Sequence, residues 1–343
     1  MKQYFLILLL ILTAQSGFAA ARPVDKHGQL HVDSVHIVDQ NGKITRLKGI
    51  SLGWHNWWPQ FYNPSVVEEL SRNWNISVIR AAMGVEPAGG YLERPEESVK
   101  LIQTVVDAAI ANGIYVIIDW HSHDIYTEEA EAFFSMMAQQ YAGYPHIIYE
   151  IFNEPENRGW DEIKEYSIRV IEAIRKYDKH NLIIVGTPDW AQDVETVARD
   201  PIVGYENLVY SLHFYAASHE LLRYKAAYAV SKGLPMFVSE CSPSFANGDG
   251  KLDKGKFAVW LDFLKRKEIG FVMWGLYDKE ESSAMLKPGA NPNGNWPVSQ
   301  LTEMGVYSRW IVGRKIDSSI YVSIIGALFI LGIVVVLMRK KRE

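Results

Sequence analysis

Residues 147–155 of this 343-residue chain have the sequence Ile-Ile-Tyr-Glu-Ile-Phe-Asn-Glu-Pro. The run is rich in β-branched and aromatic side chains, which predicts a buried β-strand. Pro155 cannot donate a hydrogen bond to a sheet and disfavours helical angles at the preceding residue, so the strand should end here. The sequence therefore places the carboxyl group of Glu154 at the end of a buried strand.

A second glutamate, Glu240, ends a similar run, because residues 235–240 are Pro-Met-Phe-Val-Ser-Glu. Cleavage of a glycosidic bond needs two carboxyl groups: one protonates the leaving oxygen, and the other attacks the sugar or activates water. A single glutamate at a strand end more commonly caps the strand or pairs with an arginine. The residues around Glu154 and Glu240 therefore decide between catalysis and structure.

Short apolar runs alternate with helical patterns along most of the chain, which predicts a parallel sheet with crossover helices. The predicted strands are 48–52, 78–83, 115–120, 147–153, 182–186, 208–215, 236–239 and 271–275. The predicted helices are 64–74, 95–111, 127–142, 161–177, 192–199, 219–231, 252–267 and 301–311. Eight such units favour a TIM (β/α)8 barrel of the α/β class, and no glycine-rich nucleotide loop follows any strand.

The N-terminal part of the predicted domain contains a turn signal, Gln40-Asn41-Gly42, between residues 30–39 and 43–47. Both flanking runs mix polar and apolar residues as short strands do. We therefore expect an N-terminal β-hairpin that closes one end of the barrel.

Both ends of the chain carry patterns that predict the protein's localisation in the cell. Lys2 precedes an apolar segment that small residues follow, which predicts a signal peptide over residues 1–21. Residues 320–338 carry no charge, would span a hydrocarbon core of about 30 Å as a helix, and precede a basic cluster. The expected order is signal peptide, catalytic domain (22–313), juxtamembrane linker (314–319), transmembrane helix (320–338) and basic cytoplasmic tail (339–343). The protein would then be secreted and membrane-anchored, with its catalytic domain in the periplasm or at the cell surface.

The composition narrows the possible partners. The net charge of -5 comes from dispersed charges of both signs, so we expect no nucleic-acid partner. Cys241 is the only cysteine, which excludes an internal disulfide. The 11 tryptophans and 18 tyrosines suit both a large core and the flat faces of sugar rings.

In a TIM barrel the active site lies at the carboxyl ends of the strands. Polar or aromatic side chains occur near the ends of six predicted strands: Arg80, Asp119 to His123, Asn153 with Glu154, His213 with Tyr215, Glu240, and Trp274. Each could by itself serve packing or an ion pair, but their joint occurrence favours an active site. The pair His121 and His123 also allows a metal site, because imidazole is a common metal ligand.

These residues lie in stretches that resemble the cellulases of glycoside hydrolase family 5, and the resemblance extends over residues 49–308. The stretches are 78–83 (VIRAAM), 115–123 (YVIIDWHSH), 151–155 (IFNEP), 184–190 (IVGTPDW), 212–215 (LHFY) and 276–284 (LYDKEESSA). The resemblance implies a retaining endo-β-1,4-glucanase, with Glu154 as the acid/base and Glu240 as the nucleophile. Its expected partners are β-1,4-glucan or cello-oligosaccharides, and cleavage by two carboxylates needs no metal or other cofactor.

Further roles follow for the residues near the carboxyl pair. Arg80 and Tyr215 are suited to keep Glu240 ionised and oriented, and the charge of Glu240 should raise the pKa of the acid. The resemblance further implies that Asn153 bonds the sugar 2-hydroxyl and that Lys279 and Glu281 bind a more distant glucose. We also expect His121 and His213 to position sugar hydroxyls or the catalytic acids, Trp274 and Trp190 to stack on sugar rings, and His55 to lie in a glycan-facing loop. Core packing for the tryptophans and a solvated ion pair for the Lys–Glu pair are the structural alternatives.

The sequence leaves three other functions open. A β-mannanase or mixed-linkage glucanase would use the same two carboxylates, because the loops and not the pair select the sugar. A glycan-binding receptor would keep the barrel without catalysis. A metal-dependent barrel hydrolase would lose its activity to a chelator and regain it with zinc.

Overall fold

The computed structural model describes residues 22–313. They form a closed barrel of eight parallel strands, with a small antiparallel sheet before it and helices around it. The strands are β1 (His31–Asp33), β2 (His36–Val38), β3 (Lys48–Leu52), β4 (Val78–Gly84), β5 (Tyr115–His121), β6 (Ile147–Glu150), β7 (Leu182–Val185), β8 (Leu208–Tyr215), β9 (Met236–Ser242) and β10 (Phe271–Leu276). The helices are α1 (Pro23–His27), α2 (Pro64–Asn73), α3 (Pro95–Asn112), α4 (Thr127–Tyr141), α5 (Trp160–Arg175), α6 (Pro188–Ala191), α7 (Val194–Arg199), α8 (Leu222–Ser231), α9 (Lys254–Arg266) and α10 (Glu303–Gly313).

Strands β3 to β10 follow one another around the barrel in chain order, and β10 closes it by pairing with β3. This arrangement confirms the predicted TIM barrel. Predicted and observed strand bounds agree for β3 and β8 and differ by at most three residues elsewhere. The largest differences, three residues each, are at the end of β9 and at the end of β6, beyond which the chain bonds β5 and the loop after it. There Asn153 donates its backbone N–H to the Trp120 carbonyl and Glu154 donates to that of Ser122.

Side chains inside the barrel form an apolar layer near the strand starts and a charged layer near the strand ends. Successive side chains of a strand point to opposite faces, so every second residue faces the interior. On β4, Val78 packs with Tyr115 and Ile148 in the apolar layer. Arg80, two residues later, is wholly buried among carboxylates. The intervening Ile79 belongs instead to the larger core that the strands form with the helices.

The helices begin and end largely where the sequence predicts. Pro95 starts α3, and Gly113 ends it in the left-handed conformation with a φ of 65°. Some of the predicted helices, among them 192–199 and 219–231, begin later in the structure: α7 begins at Val194, after the short turn α6, and α8 begins at Leu222. Within α6, residues 189–191 have positive φ angles, so the chain cannot run on as one helix.

The N-terminal hairpin is present, but its turn is not the predicted one. Strands β1 and β2 pair through a turn at Ser34, whose φ is 56°. The predicted turn at Gln40-Asn41-Gly42 brings only Val38 opposite Ile44, as an isolated bridge. The Asp39 side chain holds this segment by accepting the backbone N–H groups of Asn41 and Lys43. Leu30 and Ile37 of this region pack against the apolar layer of the barrel, as expected for an element that closes one end.

A search of the helices over residues 22–313 finds none long and apolar enough to cross a bilayer. The predicted signal peptide (1–21), linker (314–319), transmembrane helix (320–338) and basic tail (339–343) lie outside the described residues.

Candidate active site

Arg80 is the centre of the charged layer. It was predicted near a strand tip but lies third on β4 with no exposed side-chain surface. Its Nε donates to Glu150 Oε2 at 2.6 Å, its Nη1 donates to Glu240 Oε2 at 3.0 Å, and its Nη2 lies 3.0 Å from Asp119 Oδ2. A fourth contact runs from Nη2 to Asn153 Oδ1 at 2.7 Å. One guanidinium therefore compensates three buried carboxyl groups.

Glu240 has a donor on each carboxylate oxygen. Tyr215 donates its hydroxyl to Oε1 at 2.6 Å, and Arg80 donates to Oε2. Burial and then the charge of Glu154 raise the pKa of Glu240, and they outweigh the lowering by His213, Arg80 and Tyr215. The two donors fix the orientation of the carboxylate, while burial opposes its ionisation.

Glu154 lies four residues beyond the end of β6, between two imidazoles. His213 Nδ1 is 2.9 Å from Glu154 Oε1, and His123 Nε2 is 3.6 Å from Oε2. Burial alone would raise the pKa of Glu154, but the bonds and charges of His123 and His213 outweigh it and lower the pKa to about 2. The predicted raised pKa of Glu154 is therefore wrong, because the bonds and charges of the two imidazoles outweigh the effect of burial.

The two predicted catalytic carboxyl groups are close together. One oxygen of Glu154, one oxygen of Glu240 and one ring nitrogen of His213 lie within 4.8 Å of one another. Among the described residues, these three side chains form the group whose spacing could also accept a metal ion. Both nitrogens of His213 already have partners, Glu154 and Ser239, so an ion would have to replace one of these contacts.

The two buried histidines of the site differ in charge. Burial lowers the pKa of His213, but its bonds to Glu150 and Glu154 raise it to about 9. The Nδ1 atom of His121 lies 2.7 Å from Asp119 Oδ2. Burial, and after it the charge of Arg80, lower the pKa of His121 well below its usual value. At neutral pH His213 is therefore a cation and His121 is neutral.

Asn153 presents an unused hydrogen-bond donor. Its Oδ1 accepts from Arg80, and the side chain is almost fully buried. Its Nδ2 has no hydrogen-bond partner among residues 22–313. A buried amide that lacks a partner is costly, so this group is suited to meet a hydroxyl of a bound sugar.

Aromatic rings line one side of the site. Trp274 lies parallel to His121, with ring centroids 5.3 Å apart, and the Trp274–Gly275 peptide bond is cis. Only 7% of Trp274 is exposed. Trp54 packs edge-on against His121 and stacks on Trp57, which is half exposed. Trp54 and Trp57 therefore extend the aromatic wall outward from the carboxyl pair.

The structure overturns the glycan-facing role of His55. This side chain is buried: its Nε2 lies 2.8 Å from Ser98 Oγ, and its Nδ1 accepts the backbone N–H of Gly84 at 2.9 Å. Burial lowers its pKa to about 4, so it is neutral. His55 therefore joins the loop after β3 to α3 and to the end of β4.

Three predicted residues lie at the edge of the site. Trp190 is 40% exposed, and its Nε1 donates to Glu156 Oε1 at 2.8 Å. Lys279 forms an ion pair with Glu281, which also accepts the Tyr277 hydroxyl at 2.6 Å. None of these contacts reaches the two central carboxylates.

Comparison with known proteins gives the family of this barrel. Residues 38–280 match the family model described as cellulase, glycosyl hydrolase family 5. The chain belongs to glycosyl hydrolase family 5. This agrees with the resemblance inferred from the sequence stretches.

This family 5 chain is similar to curated endoglucanases. It is 39% identical over 322 residues to an endoglucanase of Clostridium saccharobutylicum, covering 92% of this chain and 71% of that protein. It is 43% identical over 277 residues to endoglucanase A of Evansella cellulosilytica, covering 78% of this chain and 56% of that one. The chain thus spans between about half and about three quarters of these relatives.

Solved structures of the family resemble the barrel closely. A structure from Cytophaga hutchinsonii is 41% identical with a TM-score of 0.83, covering 84% of this chain and 96% of that one. A variant of the catalytic domain of a Thermobifida fusca endoglucanase, in complex with cellotetraose, is 30% identical with a TM-score of 0.81. That match covers 85% of this chain and all of the other.

Sequence reasoning missed several residues of this family 5 site. Glu150 binds Arg80 and approaches His213, and Ser239 lies 2.9 Å from His213 Nε2. The sequence did contain a signal for Glu150, because it is a charged residue in an otherwise apolar strand. It lies two residues after Ile148, so its side chain also faces the barrel interior. Glu86, whose Oε1 lies 3.2 Å from His123 Nδ1, gave no such signal, because it lies in a loop and reaches the site only through the fold.

Proposed function

We propose that this chain is a retaining endo-β-1,4-glucanase that cleaves internal bonds of cellulose-type β-glucans. The main support is the carboxyl pair, whose nearest oxygens on Glu154 and Glu240 are within 4.8 Å. Retaining glycosidases hold the two carboxyl groups about 5 to 5.5 Å apart, whereas inverting enzymes leave about 6.5 to 9.5 Å for a water. The names of the similar endoglucanases support the substrate class.

Glu240 is the proposed nucleophile and Glu154 the proposed acid/base. Glu240 attacks the anomeric carbon and the glycosidic C–O bond breaks, while Glu154 gives a proton to the departing oxygen. Water then attacks the same carbon, loses a proton to Glu154, and releases Glu240 as a carboxylate. Arg80 and Tyr215 keep Glu240 in one orientation through both steps.

We assign substrate binding to the unpaired Nδ2 group of Asn153 and to the tryptophan side chains beside the carboxyl pair. Asn153 Nδ2 is placed to donate to the sugar 2-hydroxyl, a contact that strengthens in the transition state. Trp274 and the half-exposed Trp57 offer ring faces to glucose units, while Trp54 packs between Trp57 and His123. Cellotetraose bound to the related Thermobifida fusca domain supports cello-oligosaccharides as ligands.

The test is reducing-end release by the full-length chain, purified in a mild detergent, on carboxymethylcellulose, mixed-linkage β-glucan, β-mannan and xylan. We expect preference for the cellulose derivative, loss of activity in Glu240→Gln, and first-formed products that keep the β-configuration by NMR. Activity confined to mannan or xylan would replace the substrate and keep the mechanism. No hydrolysis of any polymer, with retained binding, would instead support the glycan-binding receptor.

We further propose that residues 1–21 are a signal peptide and residues 320–338 a membrane anchor, which places the barrel in the periplasm or at the cell surface. The support is the sequence pattern alone. Fractionation of cells that express the full chain, followed by protease treatment of intact spheroplasts, tests this proposal. Membrane association with a protected barrel would contradict the orientation, and a wholly soluble full-length chain would contradict the anchor.

A further inference from the structure

A second imidazole contacts the proposed acid/base on the oxygen that His213 leaves free. His123 Nε2 lies 3.6 Å from Glu154 Oε2, whereas His213 contacts Oε1. The other ring nitrogen of His123, Nδ1, lies 3.2 Å from Glu86 Oε1, and the same oxygen accepts the His123 backbone N–H at 2.8 Å. The three side chains thus form a continuous row, Glu86–His123–Glu154, from the cleft surface to the carboxyl pair.

The fold holds this row in place. Backbone bonds from Glu154 to Ser122 and from Glu156 to His123 join the loop after β6 to the loop after β5. The Trp54 ring stacks on the His123 imidazole, with centroids 5.6 Å apart and an interplanar angle of 26°. Cleavage by two carboxyl groups does not itself require either Glu86 or His123, so this ordered arrangement calls for another role.

We propose that Glu86 and His123 form a proton-holding arm of the acid/base, in which Glu86 keeps His123 protonated and His123 exchanges its Nε2 proton with Glu154. The inference rests on the proposed function, because it takes Glu154 as the acid/base. Glu86 is a positioning residue in this scheme, since it acts only through the imidazole.

The proton movements balance through the catalytic cycle. The proton moves from His123 Nε2 to Glu154 Oε2, which leaves a neutral imidazole and a neutral carboxyl. Glu154 passes this proton to the glycosidic oxygen while Glu240 bonds to the sugar. In the second step Glu154 takes a proton from water, the water oxygen replaces Glu240 on the sugar, and the proton returns to His123. The 3.6 Å separation has to shorten when substrate binds, as catalytic contacts commonly do.

The charges of the row agree with this role. Burial lowers the pKa of His123, but its contacts with Glu154 and Glu86 raise it to about 10. Burial raises the pKa of Glu86, but its bonds from the side chain and backbone of His123 lower it below the usual value. At neutral pH the imidazole is therefore cationic between two carboxylates, and the transferable proton rests on His123.

Other titratable groups face the row but do not replace Glu86. The groups whose charges act on Glu154, His123 or Glu86, or are acted on by them, are His121, Tyr126, His213, Tyr215, His219 and Glu240. Among residues 22–313, Glu86 is the carboxylate whose oxygen lies at His123 Nδ1. Changing Glu86 therefore changes the charge of the imidazole most directly.

The test compares the wild-type full-length chain with Glu86→Gln, both purified in detergent, through the pH dependence of kcat/KM on a soluble aryl β-cellobioside. Glutamine keeps the Oε1 acceptor and the size of the side chain but removes the charge. We expect the alkaline midpoint of the profile to move to lower pH by about one unit. The reason is that His123 becomes less basic without the charge of Glu86, so it loses its proton at a lower pH than in the wild type.

Glu129→Gln is the matched control, because it removes the same charge from an exposed position on α4 near the same loop. Its pH profile should coincide with that of the wild type. A second measurement, independent of hydrolysis, follows the His123 imidazole by NMR during a pH titration. Its midpoint should fall by about one unit in Glu86→Gln and stay unchanged in the control.

The outcomes separate this inference from the proposed function. An unmoved alkaline midpoint, or one that moves upward because Glu154 carries its own proton, would overturn the proton-holding arm while hydrolysis by the wild type stands. A uniform loss of kcat/KM with an unmoved midpoint would show that Glu86 is only structural. If Glu86→Gln does not fold, His123→Gln should move the alkaline midpoint further to lower pH, because the imidazole that holds the proton is then absent. An unshifted profile in that variant overturns the arm. Absence of hydrolysis by the wild type would overturn the proposed function and the arm together.

Discussion

Arg80 Nη1 donates to Glu240 Oε2 at 3.0 Å inside a barrel layer that holds two further carboxylates. The guanidinium is therefore part of the proposed active site and also part of the core. A buried ion pair is costly to break from one side only, because the remaining charges lose their compensation. Stability and catalysis thus depend on the same residue.

We expect Arg80→Met to lower the free energy of unfolding by about 3 to 5 kcal/mol, since it removes the guanidinium that pairs with three buried carboxyl groups. Urea unfolding at pH 7 measures the change. The loss should shrink as the pH falls, because the carboxyl groups then take up protons. Arg169→Met is the control: Arg169 pairs with Glu128 and Glu131 on the surface, so its loss should stay within about 1 kcal/mol. Equal effects of the two substitutions would contradict the assigned role of Arg80.

Tyr215→Phe should move the acid limb of the kcat/KM profile to higher pH. The Tyr215 hydroxyl donates to Glu240 Oε1 and favours the ionised carboxylate. Its removal raises the pKa of Glu240, so a higher pH is needed to form the nucleophile. A hydrogen bond to a charged group contributes about 1.5 kcal/mol, which corresponds to a shift of about one pH unit. An acid limb at the wild-type position would show that Glu240 does not control it.

Glu154→Gln and Glu240→Gln should respond differently to the leaving group. General acid catalysis contributes about 10²- to 10⁴-fold, so Glu154→Gln should lose that factor on cellotetraose. It should keep rapid formation of the glycosyl-enzyme with dinitrophenyl β-cellobioside, whose leaving group needs no proton. Glu240→Gln should lose both reactions. Burst kinetics measure the first step, and a burst from Glu240→Gln together with none from Glu154→Gln would exchange the two roles.

The fold could be predicted because alternating patterns in the sequence are local, whereas the protonation state of the site could not. Glu240 and Tyr215 were identified from strand ends, and the structure brings them into contact. The pKa of Glu154 was predicted with the wrong sign because its two imidazoles come from the loop after β5 and from β8. His55 was misassigned for the same reason, since its partner Ser98 lies on a helix 43 residues away.

Asn153→Ala should remove the discrimination between a 2-hydroxyl and a 2-deoxy substrate. Asn153 Oδ1 is fixed by Arg80, so the unpaired Nδ2 has a constrained direction and is available to a substrate hydroxyl. The ratio of kcat/KM for an aryl β-cellobioside to that for its 2-deoxy analogue measures this contact. A single hydrogen bond that leaves a buried donor unpaired contributes about 1 to 3 kcal/mol, so the ratio should fall about 5- to 150-fold in the variant. Comparing ratios cancels the intrinsic reactivity of the 2-deoxy sugar and any uniform loss caused by freeing Arg80. A ratio equal to that of the wild type would mean that the 2-hydroxyl binds elsewhere.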